Sequence, residues 1–173
     1  MRWLMRLALV VLAVVIGVLL VGSGLPVEHR ATVDRVVAGT PAQVWDVLTA
    51  VEDFPRWRPE VDGVVRLEDR NGLPAWREEG PSGVLNLGAV WYEPPDRMVV
   101  RVSDEDGAFG GSWTYDLSPA ESEGTRITIT EVGEVYSPFF RFMARYVFGH
   151  ERSMRTYLEA LEARMSAVDT VGG

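Results

Sequence analysis

The chain has 173 residues, enough for one domain with a single sizeable core and an added segment. Its formal net charge is −8, and all 17 of its Lys and Arg positions are arginine, a balance that argues against a nucleic-acid-binding surface. The sequence contains no cysteine, which excludes disulfides, thiolate metal ligands and cysteine nucleophiles.

The N-terminal segment is strongly apolar. An uncharged run, LALVVLAVVIGVLLVGSGLP, follows Arg2 and Arg6 and has the length of a membrane-spanning helix. The positive charges before this run predict a single-pass protein with a cytoplasmic N-terminus and an extracytoplasmic domain. The alternative is a signal peptide cleaved near Val21-Gly22-Ser23, with the remainder exported. We therefore expect residues 1–27 to form a transmembrane anchor, or a signal peptide, and a linker.

The first elements after the linker are a strand and two short helices. Residues 31–39, ATVDRVVAG, are rich in β-branched side chains and predict a strand. Thr40 and Pro41 then suit the N-cap and the first position of a helix. The segment EDFPRWRP carries two prolines and predicts a short second helix or a turn.

Several strands follow, separated by breaks rich in Gly, Pro or Asp. Antiparallel pairing is expected because such short links cannot form parallel crossovers. Asn71-Gly72 predicts a tight hairpin, since both positions tolerate positive φ. Strand alternation predicts three same-face sets: Trp76 with Glu78, Val90 with Tyr92, and Trp113 with Tyr115 and Leu117.

The chain closes with a segment that predicts one long amphipathic helix beginning at Ser137-Pro138. His150 lies near the middle of its apolar face and Gly149 near the edge of that face. We expect residues 169–173 to form a disordered tail. At helical periodicity the apolar stripe collects Phe139, Met143, Tyr146, Val147, His150, Met154, Tyr157, Leu158, Leu161 and Met165.

Two stretches resemble a known superfamily. They are VVAGTPAQVWDVLTAVEDFPRWRPEVDGVV (residues 36–65) and the ending HERSMRTYLEALEARM. The sequence resembles the START-like, or SRPBCC, superfamily, especially its polyketide cyclase/dehydrase-type branch, over about residues 29–167. The resemblance implies an α+β helix-grip fold over residues 28–168, in which a curved antiparallel sheet wraps around a long C-terminal helix. Two short helices would follow the first strand, and here one transmembrane helix would precede the domain.

In that superfamily a cavity between the sheet and the last helix holds an apolar ligand. The resemblance therefore implies a cavity here, and Glu78 and Glu131 are further candidates to point inward. The aromatics Phe109, Tyr136, Phe139 and Phe140 are expected either to surround the cavity mouth and contact lipid or to close one end of the core. The expected lining comprises Trp76, Tyr92, Phe109, Trp113, Tyr115, Met143, Tyr146, His150 and Met154.

Three functions are compatible with this sequence. The first is a membrane-anchored domain that binds a hydrophobic small molecule or lipid without catalysis. The second is a cyclase- or dehydratase-type enzyme that uses His150 as acid and base. The third is an anchored module whose partner is another protein. No cofactor and no metal are expected, because the acidic residues 104–106 lack a complete calcium-loop pattern and the two histidines are far apart.

Overall fold

The computed structural model describes residues 2–81, 83–102, 109–148 and 151–171. The helices are α1 (Arg2–Ser23), α2 (Pro41–Thr49), a 3₁₀ helix (Val51–Arg56), α3 (Pro138–Met143), a π-helical turn (Ala144–Phe148) and α4 (Arg152–Val171). The strands are β1 (Glu28–Val37), β2 (Gly63–Arg66), β3 (Ala75–Gly80), β4 (Gly83–Glu93), β5 (Arg97–Val102), β6 (Phe109–Pro119) and β7 (Thr125–Val135).

The seven strands form one antiparallel sheet in the order β1-β7-β6-β5-β4-β3-β2. Strands β2 to β7 are consecutive neighbours, and β1 closes the order by pairing with β7 along its whole length. The predicted hairpin at Asn71-Gly72 is confirmed, because both residues have positive φ, 54° and 76°. The antiparallel pairing expected from the short links between strands is confirmed as well.

The start of α2 follows the sequence prediction. Thr40 is the N-cap, Pro41 occupies the first turn, and the Thr40 hydroxyl accepts a hydrogen bond from the Gln43 backbone N–H. The Gln43 side chain in turn accepts from the Thr40 backbone N–H at 2.8 Å, which completes a capping box. The 3₁₀ helix around Pro55 is the predicted second short helix.

The core lies between one face of the sheet, here called the inner face, and helices α2 and α4. In β5 and β7 the buried inner-face residues alternate with less buried ones, as a half-buried sheet requires. Helix α4 is also joined to β1 at its surface, where Arg35 forms ion pairs with Glu159 and Glu162. The most deeply buried members of the core are Val44, Leu48, Val51, Ile127, Ile129, Met154, Leu158, Leu161 and Met165.

The predicted uninterrupted helix from Pro138 is wrong. The segment instead forms α3, a π-helical turn and α4, which begins at Arg152. Residues 144–148 form a π turn, so the 3.6-residue repeat on which the predicted stripe rests does not hold there. Accordingly Tyr146 and Val147 are exposed, whereas Met154 and Leu161 are buried.

One same-face set also differs from its prediction. The pairing of β4 with β5 shifts register between Ala89 and Trp91, so Val90 is the extra residue of a β-bulge. Val90 is exposed, whereas Tyr92 packs against the core. Strict alternation cannot anticipate this separation, because a bulge inverts the face of every later residue in the strand.

Among the described residues, one helix, α1, is long and apolar enough to cross a membrane. Most of its side chains project away from the domain, and its last turns pack on α3.

Candidate functional site

The centre of the inner face is aromatic. Tyr157 of α4 lies over the sheet, and its ring centroid is 5.8 Å from the ring centroids of both Trp113 and Tyr115 on β6. Trp57, which follows the 3₁₀ helix, meets the same ring edge-to-face at 5.5 Å. Tyr157 and Tyr115 are buried, while Trp113 and Trp57 are half-buried. This group of four rings is here called the aromatic cluster.

A buried ion pair borders the aromatic cluster. An Arg58 terminal nitrogen donates to Glu78 Oε1 at 2.9 Å, and the Arg58 and Glu78 side chains are only 11% and 10% exposed. Glu78 Oε1 also accepts from Trp76 Nε1 at 2.9 Å, and Arg58 Nε donates to Glu60 at 2.9 Å. Each charge therefore has several partners, as a buried ion pair needs if it is to be tolerated.

The guanidinium of Arg58 also stacks on aromatic rings. Its Cζ lies 4.8 Å from the centroid of Phe54 and 5.0 Å from that of Tyr157. Burial is the largest influence and opposes the charge of Arg58, but the Glu78 carboxylate, Tyr157 and the hydrogen bonds to Glu60 and Glu78 together outweigh it and raise the pKa of Arg58 above its usual value. Arg58 is therefore a permanent cation beside the aromatic cluster.

The two phenols of the aromatic cluster are neutral at physiological pH. Burial, and then the neighbouring Tyr157, raise the pKa of Tyr115 well above its ordinary value. Burial likewise raises the pKa of Tyr157, although the nearby Arg58 cation opposes the shift. Both hydroxyls thus keep their protons, and they share a hydrogen bond with each other.

Trp57 contributes a donor without a partner. Its indole Nε1 is buried and makes no hydrogen bond to any described group. Leaving a buried N–H unpaired costs about 1–3 kcal/mol, so buried donors normally have an acceptor. The unpaired Nε1 lies on the ring that contacts Tyr157.

A second polar pair lies elsewhere on the inner face. His29 Nε2 of β1 is 3.9 Å from Glu131 Oε2 of β7, and both side chains are largely buried. The β6–β7 register places Trp113 directly opposite Glu131, so this pair adjoins the aromatic cluster. Gly133 makes room for the imidazole, because a Cβ at that position would overlap the His29 ring. Burial lowers the pKa of His29, which favours its neutral form.

The structure brings together part of the expected lining. Trp76, Tyr115 and Met154 are buried in one core cluster, and Tyr92 and Trp113 pack against it. Glu78 and Glu131 both lie on the inner face.

The remaining expected site residues come from the segments that flank the core. Met143 is half-buried on α3, and Tyr146 is 59% exposed on the π-helical turn. Phe109 begins β6, but its side chain lies outside the described part of the structure, as do His150, Gly149 and residues 104–106. Within the described ranges, no three His, Asp or Glu side chains group as metal ligands.

The sequence places Tyr157 on the apolar stripe of the last helix but does not indicate Arg58, His29 or Trp57 as inner-face groups. One signal for Arg58 was present: an inward Glu78 needs a cation, and arginine is the chain's only strongly basic side chain. The proline-flanked turn that carries Trp57 and Arg58 has no periodicity from which their direction could be predicted.

The family is decided by a match over most of the chain. A family model described as "Polyketide cyclase / dehydrase and lipid transport" matches residues 28–166. The chain belongs to this family. The match begins at β1 and ends within α4, so α1 precedes the family domain. No curated protein matches the chain.

Solved structures show the same fold in the START/SRPBCC superfamily. The ZhuI aromatase/cyclase from Streptomyces sp. R1128 is 16% identical, with a TM-score of 0.66 over 80% of this chain and 94% of that one. A START superfamily protein from Mycobacterium smegmatis is 18% identical, with a TM-score of 0.63 over 82% and 98%.

The di-domain aromatase/cyclase StfQ of the steffimycin biosynthetic pathway is 16% identical and has a TM-score of 0.65. The matched region covers 83% of this chain but only 53% of StfQ, so this chain spans about half of that protein. At these identities the three likenesses establish the helix-grip fold alone.

Proposed function

We propose that this protein binds a hydrophobic small molecule or lipid at the inner face, without catalysing its conversion, while α1 anchors it in a membrane. The family's description includes lipid transport, and its fold places a sheet around a helix. The inner face of this chain offers aromatic surface with a few fixed polar groups, the usual composition of a site for an apolar ligand.

The unpaired Nε1 of Trp57 carries the proposal. A buried donor beside the neutral phenols of Tyr157 and Tyr115 is suited to an oxygen acceptor on an otherwise apolar molecule. The ligand class is therefore an apolar compound with a carbonyl, ester or hydroxyl oxygen. A pure hydrocarbon would leave the indole N–H unpaired.

Fixed protonation supports binding over catalysis. A general acid or base works best when its pKa lies near the operating pH. Arg58 is a permanent cation whose charge Glu78 offsets, and Tyr115 and Tyr157 have raised pKa values. These groups can orient a ligand, but they do not exchange protons readily at neutral pH.

The test is co-purification of ligand with the full-length chain. The protein is purified in detergent, and its bound compounds are extracted and identified by mass spectrometry, with rebinding measured for a panel of lipids and polyketides. Trp57→Phe removes the N–H and keeps an aromatic ring, so we expect several-fold weaker binding of carbonyl-bearing ligands.

The matched control is Trp91→Phe. Trp91 is 55% exposed and donates to Glu93, away from the inner face, so its replacement should leave binding unchanged. Failure of the wild-type chain to bind any member of the panel would contradict the proposal, and so would equal binding by the two variants.

An enzyme of cyclase or dehydratase type is the second candidate. The His29–Glu131 pair favours it, because a neutral imidazole beside a carboxylate can act as a general base. His150, the base expected from the sequence, is the other candidate for this role. Turnover of a poly-β-keto substrate that is abolished by His29→Gln or His150→Gln would favour the enzyme over the binding protein.

A further inference from the structure

The last turns of α1 are packed on the domain rather than merely tethered to it. Val18 is half-buried and Gly22 is buried, a spacing that places both on one side of the helix, and Leu25, just beyond the end of α1, is half-buried too. A Cβ at Gly22 would overlap the Pro138 carbonyl oxygen, so the backbones of α1 and α3 touch there. The glycine allows this close approach.

The linker after α1 is also fixed to α3. A terminal nitrogen of Arg141 donates to the Leu25 carbonyl oxygen at 2.8 Å, and the other lies 3.4 Å from the Tyr136 carbonyl oxygen. A signal peptide awaiting cleavage needs an accessible, extended site near Val21-Gly22-Ser23. Here that segment is helical and its glycine is buried, an arrangement that suits a retained anchor.

The segment that meets α1 exposes apolar side chains. Phe139 and Phe140 of α3 are 45% and 39% exposed, and Tyr146 and Val147 of the π-helical turn are 59% and 58% exposed. This surface, residues 136–148, is here called the collar. It contains Arg141 and Arg145 and no acidic residue, although the chain as a whole has a net charge of −8.

The depth of the collar follows from the length of α1. An apolar helix of about 20 residues is about 30 Å long, which equals the hydrocarbon thickness of a bilayer. Gly22 and Leu25, near the end of the apolar run, then lie close to the boundary where the chain leaves the hydrocarbon. Because Pro138 touches Gly22, α3 begins at the same depth.

We propose that the collar lies in the interfacial layer of the membrane in which α1 is anchored. Aromatic side chains concentrate at this layer, and the exposed Arg145 can reach a lipid phosphate there. The collar would therefore hold the domain at a fixed orientation against the bilayer. This inference rests on the proposed anchor but not on the proposed ligand.

Site-specific fluorescence tests the proposal, and the cysteine-free chain makes single labels straightforward. Phe140→Cys and Val147→Cys are labelled with an environment-sensitive dye, and the full-length protein is placed in phosphatidylcholine–phosphatidylglycerol vesicles. The control label is at Ser122→Cys, in the exposed β6–β7 hairpin at the opposite end of those strands, roughly 30 Å away.

We expect nitroxide-bearing lipids to quench the labels at 140 and 147 several-fold more than the label at 122, and aqueous iodide to show the reverse order. Iodide quenching of all three labels alike would overturn the proposal. Protection of the collar labels from both quenchers would mean that a protein covers them, which would overturn it too. A measured protein mass that corresponds to a chain without α1 would also overturn the proposal.

A pair of glycine variants separates docking from insertion. Gly22→Val should push α3 away from α1 and reduce lipid quenching at position 140. Gly17→Val is the matched control, because nothing lies within 4 Å of a Cβ at that position. Equal quenching in the two variants would contradict the docked collar. A loss of ligand binding alone would leave the lipid and iodide quenching of these labels unchanged.

Discussion

At the scale of single residues, Arg58 and Glu78 are the most consequential pair of the interior. Each is largely buried, and the guanidinium lies between the rings of Phe54 and Tyr157. The fold tolerates these charges only when both are present, since a buried charge without its partner is strongly destabilising.

Glu78→Gln tests this dependence. The amide keeps an acceptor for Trp76 but removes the charge opposite Arg58, so we expect the free energy of unfolding to fall by about 3 kcal/mol or more. Chemical denaturation of the full-length chain in detergent measures the change. Glu93→Gln, at an exposed partner of Trp91, is the control and should differ little from wild type. A loss of the same size in both variants would contradict the account.

His29 gives a prediction of pH dependence. Burial lowers its pKa in the folded state, so the unfolded chain takes up a proton first as the pH falls below the ordinary value of 6.5. The stability contribution of the neutral ring is thus fully present above that pH and is lost as the pH falls toward the folded-state pKa. We expect the wild-type unfolding midpoint to drop more steeply than that of His29→Gln between neutral and mildly acidic pH. Parallel pH profiles of the unfolding midpoint would show that the pKa of His29 does not change on folding.

At the scale of secondary-structure elements, the π-helical turn divides a stripe that is continuous in the sequence. Val147 and Leu161 belong to the same predicted apolar face, yet Val147 is 58% exposed and Leu161 is fully buried. Periodicity at 3.6 residues per turn cannot reveal a local π turn, because the pattern on each side of it remains regular.

Paired truncations measure this division. Leu161→Ala should lower the free energy of unfolding by about 2–5 kcal/mol, since it empties part of the packed core. Val147→Ala should change it by about 0.5 kcal/mol or less in detergent, because the side chain is mostly exposed. Thermal or chemical unfolding of both variants provides the comparison. A comparable loss of unfolding free energy in Val147→Ala would instead support the uninterrupted helix predicted from the sequence.

At the scale of the whole molecule, the fold was largely predictable from the sequence. Thr40-Pro41, Asn71-Gly72 and the spacing of strands carry local physical signals, and residues 36–65 carry the family resemblance. These signals predict antiparallel pairing and the start of α2, which the seven-stranded sheet and the Thr40 N-cap confirm.

The candidate site was predictable only in part. Trp76, Glu78, Trp113 and Tyr115 follow from strand alternation, because period-2 faces can be derived along a strand. Trp57 and Arg58 lie in a proline-rich turn without such a period, so only the tertiary structure directs them toward Tyr157. The β-bulge at Val90 shows the same limitation within a strand.

The molecule joins two features that sequence places far apart: an apolar helix docked on α3 and an aromatic inner face with fixed donors. Such an arrangement suits a domain that receives an apolar compound at a membrane surface. The proposed function depends above all on the indole N–H of Trp57, which would bind an oxygen of that compound.

The most direct test is the ¹H–¹⁵N spectrum of the indole groups of the full-length chain in detergent. The chain has 6 tryptophans, and the Trp57 resonance is assigned by its absence in Trp57→Phe. Titration with a binding lipid or polyketide should move the Trp57 N–H signal downfield, as a new hydrogen bond requires, while the Trp91 signal stays in place. A Trp57 signal that does not move when ligand binds would contradict the claim.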